Sequence, residues 1–134
     1  MAYFLTPFIA WLVTGGIKFM INSYQAKRWS FDKIGYGGMP SNHSAIVSSM
    51  VALIGVSEGI NHPAFGVALT LAFIVILDAH SLRREVGKHA HYINQLLPVT
   101  TSILRERMGH SFLEIVVGVM VGVFVACLMG VGNH

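Results

Sequence analysis

The chain has 134 residues, a length suited to one domain. Hydrophobic residues make up 54% of it and charged residues 11%, and the mean hydropathy is +0.63, whereas about 25% of an ordinary soluble domain is charged. This composition argues against a soluble globular protein, a disordered chain or a disulfide scaffold, and it indicates an integral membrane protein. The pI near 9.3 does not indicate nucleic-acid binding, because the basic residues occupy short segments between apolar runs.

Four stretches of the chain carry no charged residue: 1–17, 34–57, 59–77 and 115–133. Each has about 17 to 24 residues, which is enough for a helix to cross a hydrocarbon core of about 30 Å. We therefore predict four spans, at about 3–21, 41–55, 64–77 and 112–129. Nothing alternates with period two, so the predicted fold is an all-α membrane bundle forming a single domain over residues 1–134.

Two further features refine this bundle. Apolar residues recur at helical spacing from Val86 onward with charges between them, which predicts an interfacial helix and loop over 88–107. Glycines four apart let helices approach closely. We predict such packing at two pairs, Gly55 with Gly59 and Gly118 with Gly122.

The loop charges predict an orientation in the membrane. The segments that follow the first and third spans are basic, whereas the turn at 57–63 carries only Glu58. By the positive-inside rule both basic segments lie in the cytoplasm and both termini lie outside. We expect an integral protein of a bacterial-type plasma membrane.

The run Gly-Gly-Met-Pro-Ser-Asn-His-Ser at 37–44 stands at the start of the second span. Glycines such as Gly38 let a ligand approach the backbone, and a helix start offers free N–H groups to an anion. Ser41 and Asn42 add hydrogen-bond donors, and His43 exchanges a proton near neutral pH. The run therefore suits phosphate, with a simple turn and N-cap as the alternative.

A second polar group stands at the start of the last span. His110 and Glu114 are four residues apart, so they share a helix face. A carboxylate beside an imidazole fixes its tautomer and stabilises its cation, which favours a nucleophile or base. Alternatively, Ser111 and Glu114 form a capping box and His110 is only a loop residue.

Cations and one acid lie near the same end of the predicted bundle. Arg83 and Arg84 follow the third span and suit phosphate binding, or else anchor the chain at lipid headgroups. Lys18 near the end of the first span is a third cation, or else a lysine that snorkels to the interface. Asp78 is an additional candidate. Antiparallel spans bring these residues beside both histidines, a phosphoryl-transfer arrangement that lacks a metal site.

The chain resembles a known family in four motifs: Gly-Gly-Met-Pro-Ser-Asn-His-Ser-Ala at 37–45, Asp-Ala with Leu-Arg-Arg-x-x-Gly at 78–87, Ile-Asn-Gln-Leu at 93–96, and Gly-His-x-x-x-Glu-x-x-x-Gly at 109–118. They resemble the divergent branch of the type-2 phosphatidic acid phosphatases, relatives of the lipid phosphate phosphatases and vanadium haloperoxidases. The resemblance extends from about residue 16 to 122. It implies a helical phosphatase core that works without a metal.

The resemblance also implies residue roles. His110 matches the histidine that attacks phosphorus, His43 the histidine that protonates the leaving oxygen, and Ser41 the serine before it. Glu114 stands where the family usually has an aspartate, and Lys18 is the candidate for the first-motif lysine. Asn42 replaces the usual glycine, Gln25-Ala26 replaces an Arg-Pro pair, and Leu104 replaces the third-motif arginine. We expect Arg83 and Arg84 to supply the missing charge.

The sequence thus predicts a metal-independent lipid phosphate phosphatase with no cofactor. It would act on a phospholipid or polyprenyl phosphate, for example phosphatidylglycerophosphate or phosphatidic acid, through a phosphohistidine. The expected partners are the phosphorylated lipid and membrane lipids, with a second copy of the chain as a candidate and no nucleic acid. The alternatives are a non-catalytic phospholipid-binding or transport protein, and a small structural membrane subunit.

Overall fold

The computed structural model describes residues 2–27, 38–97 and 103–131. This part of the chain is helical and contains no strand, which confirms the all-α bundle. The helices are α1 (Ala2–Ala26), α2 (Asn42–Ser57), α3 (Pro63–Leu77), α4 (Arg83–Leu96) and α5 (Phe112–Val131), with a π-helical turn at Asp78–Leu82 between α3 and α4.

Three helical runs are long and apolar enough to cross a membrane: Tyr3–Ala26, Pro63–Leu96 and Phe112–Val131. Their outer faces carry exposed large apolar side chains such as Phe4, Phe73 and Phe124, as expected of helices that face lipid. The remaining predicted span, at about 41–55, corresponds to α2, which has only 16 residues, or about 24 Å of helix. The chain is therefore an integral membrane bundle of three long helices and one shorter apolar helix.

Helix α2 lies at the centre of the bundle and packs against α1, α3 and α5. Its buried residues are mostly small, which lets the neighbouring backbones approach: Ser44, Ala45, Ser48, Ser49, Leu53 and Ile54. Because α2 is covered by three neighbouring helices, it needs no broad lipid-facing surface, and its 16 residues are sufficient for a central helix.

The contact between α2 and α5 depends on two glycines. Gly118 lies against the backbone of Ser41, and Gly122 lies against the carbonyl oxygen of Ala45 and the hydroxyl of Ser48. A methyl group at either glycine would overlap these atoms, so close packing at this pair is confirmed.

The pair at 55 and 59 behaves differently from the prediction. Gly55 lies against the ring of Phe65, but a methyl group at Gly59 would meet no atom within 4 Å, and its φ is +90°. Close packing at Gly59 was the wrong prediction, because this residue forms the turn after α2 and needs the left-handed conformation.

Two helices run further than predicted. α1 continues to Ala26, past the expected end of the first span, so Lys18 lies inside a helix rather than at its end. The third span does not end at Leu77 but continues through the π-helical turn into α4. No proline interrupts residues 64–97, so nothing stops the helix where the sequence becomes polar.

Part of the predicted orientation signal lies outside the described residues. Arg28 and Lys33 of the first basic segment lie there, as does Gly37, the first residue of the glycine-rich motif. The predicted orientation stays a prediction.

Candidate active site at one end of the bundle

His43 and His110 lie side by side. His43 is the second residue of α2, His110 stands two residues before α5, and their ring centroids are 6.1 Å apart with an interplanar angle of 54°. The packing of α2 on α5 brings them together, because the backbone N–H of Ser41 donates to the carbonyl oxygen of Glu114 at 3.0 Å. Two histidines distant in sequence therefore share one site.

The π-helical turn holds the backbone of His110. The N–H of His110 donates to the carbonyl oxygen of Ala79 at 2.9 Å, and Nδ1 of His80 lies 3.2 Å from the carbonyl oxygen of His110. Gly109, with a φ of +84°, fits closely against Ala79 and Arg84. His80 is therefore a positioning residue.

One carboxylate oxygen of Glu114 both caps helix α5 and lies beside the imidazole of His110, the two roles that the sequence analysis gives as alternatives. Oε2 accepts from the N–H of Ser111 at 2.8 Å, and the N–H of Glu114 donates to the hydroxyl of Ser111 at 3.3 Å, which is a capping box. The same Oε2 lies 3.4 Å from Nδ1 of His110. That nitrogen is buried and makes no aligned hydrogen bond within the described residues, and the contact becomes an ion pair only when His110 is protonated.

The surroundings of His110 favour the neutral imidazole. His110 is only 6% exposed, and burial is the main cause that lowers its pKa below the ordinary value of 6.5. The charge of Lys18 lowers the pKa further, whereas Glu114 raises it. A histidine that is neutral at pH 7 has a free lone pair, which a nucleophile requires.

Two of the three predicted cations reach the histidines. Lys18 is buried, with 8% of its surface exposed, so it does not snorkel to solvent; its charge acts on His43, His110 and Glu114. Arg83 also acts on both histidines, and its Nε donates to Oδ2 of Asp78 at 3.2 Å.

Arg84 is exposed, and its charge is not among those that act on His43 or His110. It lines a cavity of about 330 Å³ together with Lys88, Glu106 and Arg107. Adjacent arginines on a helix point in different directions, which explains why only Arg83 faces the histidines. The expectation that both arginines supply the missing phosphate charge therefore has geometric support for Arg83 alone.

The glycine-rich motif provides both a cap and unpaired polar atoms. Ser41 is fully buried as the N-cap of α2, and its hydroxyl accepts from the N–H and the hydroxyl of Ser44 at 3.4 and 3.0 Å. Its side chain therefore serves the helix start. Oδ1 of Asn42 and Nδ1 of His43 are buried without a hydrogen-bond partner in the described part of the chain, as expected where a polar ligand completes the bonding.

A larger cavity of about 610 Å³ opens beside Glu114. Its polar lining comes from the end of α1, from the segment before His110 and from the start of α5, and Gly38 forms part of the wall: Asn22, Gln25, Arg105, Glu106, Arg107, Ser111 and Glu114. Gln25 thus occupies the wall where the family's pattern has an arginine.

Arg105 and Arg107 are site residues that the sequence reasoning missed. Both line the larger cavity, and the charge of Arg105 acts on Lys18. The sequence does contain a signal for Arg105. Leu104 occupies the place of the family's arginine, and Arg105 directly follows it, displaced by one position. A strict match to motif positions discards such a residue.

The described residues contain no group of three or more His, Cys, Asp or Glu side chains that could hold a metal ion. Asp78 is paired with Arg83 rather than with a second acid. Metal independence of the reaction stays a prediction.

Comparison with known proteins agrees with the resemblance seen in the motifs. Residues 1–125 match the Divergent PAP2 family. A curated relative from Bacillus subtilis (strain 168), "Uncharacterized membrane protein YuiD", is 27% identical, and the alignment covers 69% of this chain and 70% of the relative. No solved structure matches.

Proposed function

Because this chain belongs to the divergent PAP2 family, we propose that it is a membrane phosphatase that releases phosphate from a phosphorylated lipid. Phosphatidylglycerophosphate, phosphatidic acid and polyprenyl phosphates are the candidate substrates. The observation that carries the proposal is the pairing of His43 with His110 at a ring separation of 6.1 Å, in reach of the charges of Lys18 and Arg83.

The geometry suggests a role for each histidine. Nδ1 of His110 faces Glu114, so Nε2 is the nitrogen that attacks phosphorus. The P–O bond to the lipid breaks as the P–N bond forms, and His43 donates a proton to the leaving lipid oxygen. Water then attacks the phosphohistidine, with His43 as the base, and releases inorganic phosphate.

The cations stabilise the charge that the transferring phosphoryl group carries. In this proposal Lys18 and Arg83 interact with its equatorial oxygens. Glu114 stabilises the positive charge that develops on His110. No resident metal is required in this scheme, because protein cations occupy the role that metal ions play in two-metal phosphatases.

A lipid substrate fits the position of the site. The histidines stand at the ends of apolar helices, where lipid headgroups meet water. We propose that this end faces the cytoplasm of a bacterial-type plasma membrane, on the evidence of the loop charges.

The second candidate is a non-catalytic phospholipid-binding or transport protein. Gln25 and Leu104 stand where the family's pattern has arginines, and the Glu114 oxygen that faces His110 is already bonded to the N–H of Ser111. Such a protein would keep the phosphate site and lack turnover.

Phosphate release from a lipid panel distinguishes the two candidates. We expect purified wild-type protein to release phosphate from at least one lipid phosphate monoester, and we expect His110→Ala to bind that lipid without turnover. His89→Ala is the matched control, because His89 is exposed on α4. Binding without release by the wild type would favour the second candidate, and equal release by His110→Ala would contradict the proposed nucleophile.

A further inference from the structure

The side chain of Asn94 makes three hydrogen bonds to the segment that precedes His110. Oδ1 accepts from the N–H of Leu104 at 2.8 Å, and Nδ2 donates to the carbonyl oxygen of Leu104 at 2.7 Å and to Oε1 of Glu106 at 2.8 Å. An amide has two N–H donors and one carbonyl acceptor, so all three bonds form together. Asn94 thus binds both main-chain groups of one loop residue, as a neighbouring strand would.

Two more contacts hold this loop on α4. Nδ1 of His91 lies 2.8 Å from Oε2 of Glu106, and Gly87 lies against the carbonyl oxygen of Glu106 so closely that a methyl group there would overlap it. The hydrogen bonds from Asn94 and His91 lower the pKa of Glu106 below its usual value. The carboxylate is therefore charged and retains both partners at neutral pH.

The loop at residues 103–109, here called the arginine loop, connects α4 to the candidate site. It places Arg105 and Arg107 in the wall of the larger cavity, and the charge of Arg105 acts on Lys18. It ends directly at His110. A loop without helix or strand has little intrinsic preference for one conformation, so its anchors decide where its charges stand.

We propose that Asn94 is a positioning residue that fixes the arginine loop so that Arg105 contacts the phosphate of the bound lipid. Arg105 then supplies, from a position displaced by one residue, the charge that Leu104 does not provide. This inference rests on the proposed function for its ligand, a lipid phosphate. It does not require turnover, because the geometry concerns binding.

A double-mutant cycle tests the proposal. The probe is short-chain phosphatidic acid, and its dissociation constant is measured with wild-type protein, Asn94→Ala, Arg105→Ala and the double variant. Losing a charge-assisted contact weakens binding by roughly tenfold or more. We expect each single variant to show such a loss and the double variant to be no weaker than the weaker single one, because Asn94 acts through Arg105.

A matched control and a second substitution keep the test decisive. His89→Ala truncates another polar side chain of α4 that is exposed and is not one of the loop's anchors, so we expect unchanged affinity. If Asn94→Ala fails to fold, Asn94→Asp replaces it: the acceptor for Leu104 remains, whereas the donors are lost and a negative charge faces Glu106. We expect Asn94→Asp to weaken binding at least as much.

The outcomes separate this inference from the proposed function. Two results would overturn the positioning role even in an active phosphatase. One is a loss of affinity in the double variant that equals the product of the two single losses, and the other is unchanged affinity in the Asn94 variants. Non-additive losses in a protein that binds lipid phosphate without releasing phosphate would support the positioning role and contradict the phosphatase.

Discussion

At the scale of single residues, one oxygen of Glu114 faces two donors. It accepts from the N–H of Ser111 at 2.8 Å and approaches Nδ1 of His110 at 3.4 Å. A helix cap needs only an acceptor, whereas a nucleophilic imidazole needs a negative charge beside it. The two roles therefore respond differently to a neutral substitute.

Glu114→Gln separates these roles. The glutamine carbonyl still accepts from Ser111, so we expect the melting temperature to remain nearly unchanged. The charge that stabilises the imidazolium is lost, so we expect turnover to fall by about a hundredfold or more.

The measurements for Glu114→Gln are phosphate release and thermal unfolding in detergent. Ser111→Ala is the matched control, with a stability loss of about 1 kcal/mol and retained turnover. Full activity of Glu114→Gln would leave His110 without an orienting acid and would favour the phospholipid-binding alternative.

The pH dependence of turnover reports on His110. Only neutral His110 attacks phosphorus, and its pKa lies below 6.5 because of burial and Lys18, so we expect kcat/KM to decline as the pH falls through the pKa of His110. Loss of the proton that His43 donates to the leaving oxygen limits kcat/KM on the alkaline side. Since the folded-state pKa is lowered, the stability that neutral His110 contributes is present above 6.5 and is lost as the pH falls through the folded-state value.

Two substitutions should shift the decline of kcat/KM at low pH, the acid limb of the profile, in opposite directions. Lys18→Met removes a charge that lowers the pKa of His110, so the acid limb shifts to higher pH. Glu114→Gln removes a charge that raises this pKa, so the acid limb shifts to lower pH. Profiles of kcat/KM for the three proteins check the signs. A limb that stays in place in both variants would contradict the assignment to His110.

At the scale of secondary-structure elements, the π-helical turn at Asp78–Leu82 connects the longest helical run to the site. It presents Ala79 and His80 to the backbone of His110, and the following residue, Arg83, acts on both histidines. π-Helical turns occur frequently at functional sites. After this turn the two adjacent arginines of α4 differ: the charge of Arg83 acts on the histidines, whereas Arg84 lines the cavity of about 330 Å³.

We therefore expect Arg83→Ala and Arg84→Ala to differ. Loss of Arg83 removes a charge from the phosphate site and should lower kcat/KM by about 30-fold or more. Arg84→Ala is the matched control and should change kcat/KM only slightly, because the charge of Arg84 is not among those that act on the histidines. Lysine at position 83 should restore activity only in part, since it lacks the planar fork. Equal losses in the two alanine variants would show that the direction of the side chains does not matter.

Much of the architecture follows from local sequence signals. Gaps between charges predict the helices, and the spacing of Gly118 and Gly122 predicts close helix packing, although it does not identify α2 as the partner. The motif positions of His43 and His110 indicated the histidine pair before any geometry was known. These features depend on hydropathy, side-chain size and spacing, which a sequence displays directly.

Other parts of the site depend on tertiary contacts that no local pattern displays. The π-helical turn shifts the direction of every residue after Asp78, so the sequence could not distinguish Arg83 from Arg84. Arg105 reaches the cavity because Asn94, eleven positions earlier, anchors its loop. The sequence predicts Lys18 near a helix end because a charge normally ends an apolar span, whereas α1 continues past it to Ala26.

At the scale of the whole molecule, the chain is an apolar bundle whose candidate site residues lie at one end. From the loop charges we propose that this end lies in the cytoplasm. Lys27, just after α1, and Asn61, in the turn between α2 and α3, are both exposed. They lie on opposite sides of the membrane in this topology.

Cysteine labelling in intact cells tests the topology. With Cys127 first replaced by serine, we expect Lys27→Cys to resist an impermeant thiol reagent and Asn61→Cys to react with it. Cell lysis should expose both positions, which controls for reactivity. Labelling of Lys27→Cys alone from outside would reverse the orientation and move the site to the external face.

The central claim is that His110 carries the phosphoryl group, and capture of that intermediate tests it most directly. Purified protein is mixed with a phosphate-labelled lipid in EDTA and quenched in base, in which phosphohistidine survives. The account predicts a base-stable, acid-labile label on His110 in the wild type and none in His110→Ala, which still binds the lipid. Phosphate release from wild-type protein with no label at His110, or release that requires added Mg²⁺, would contradict the account.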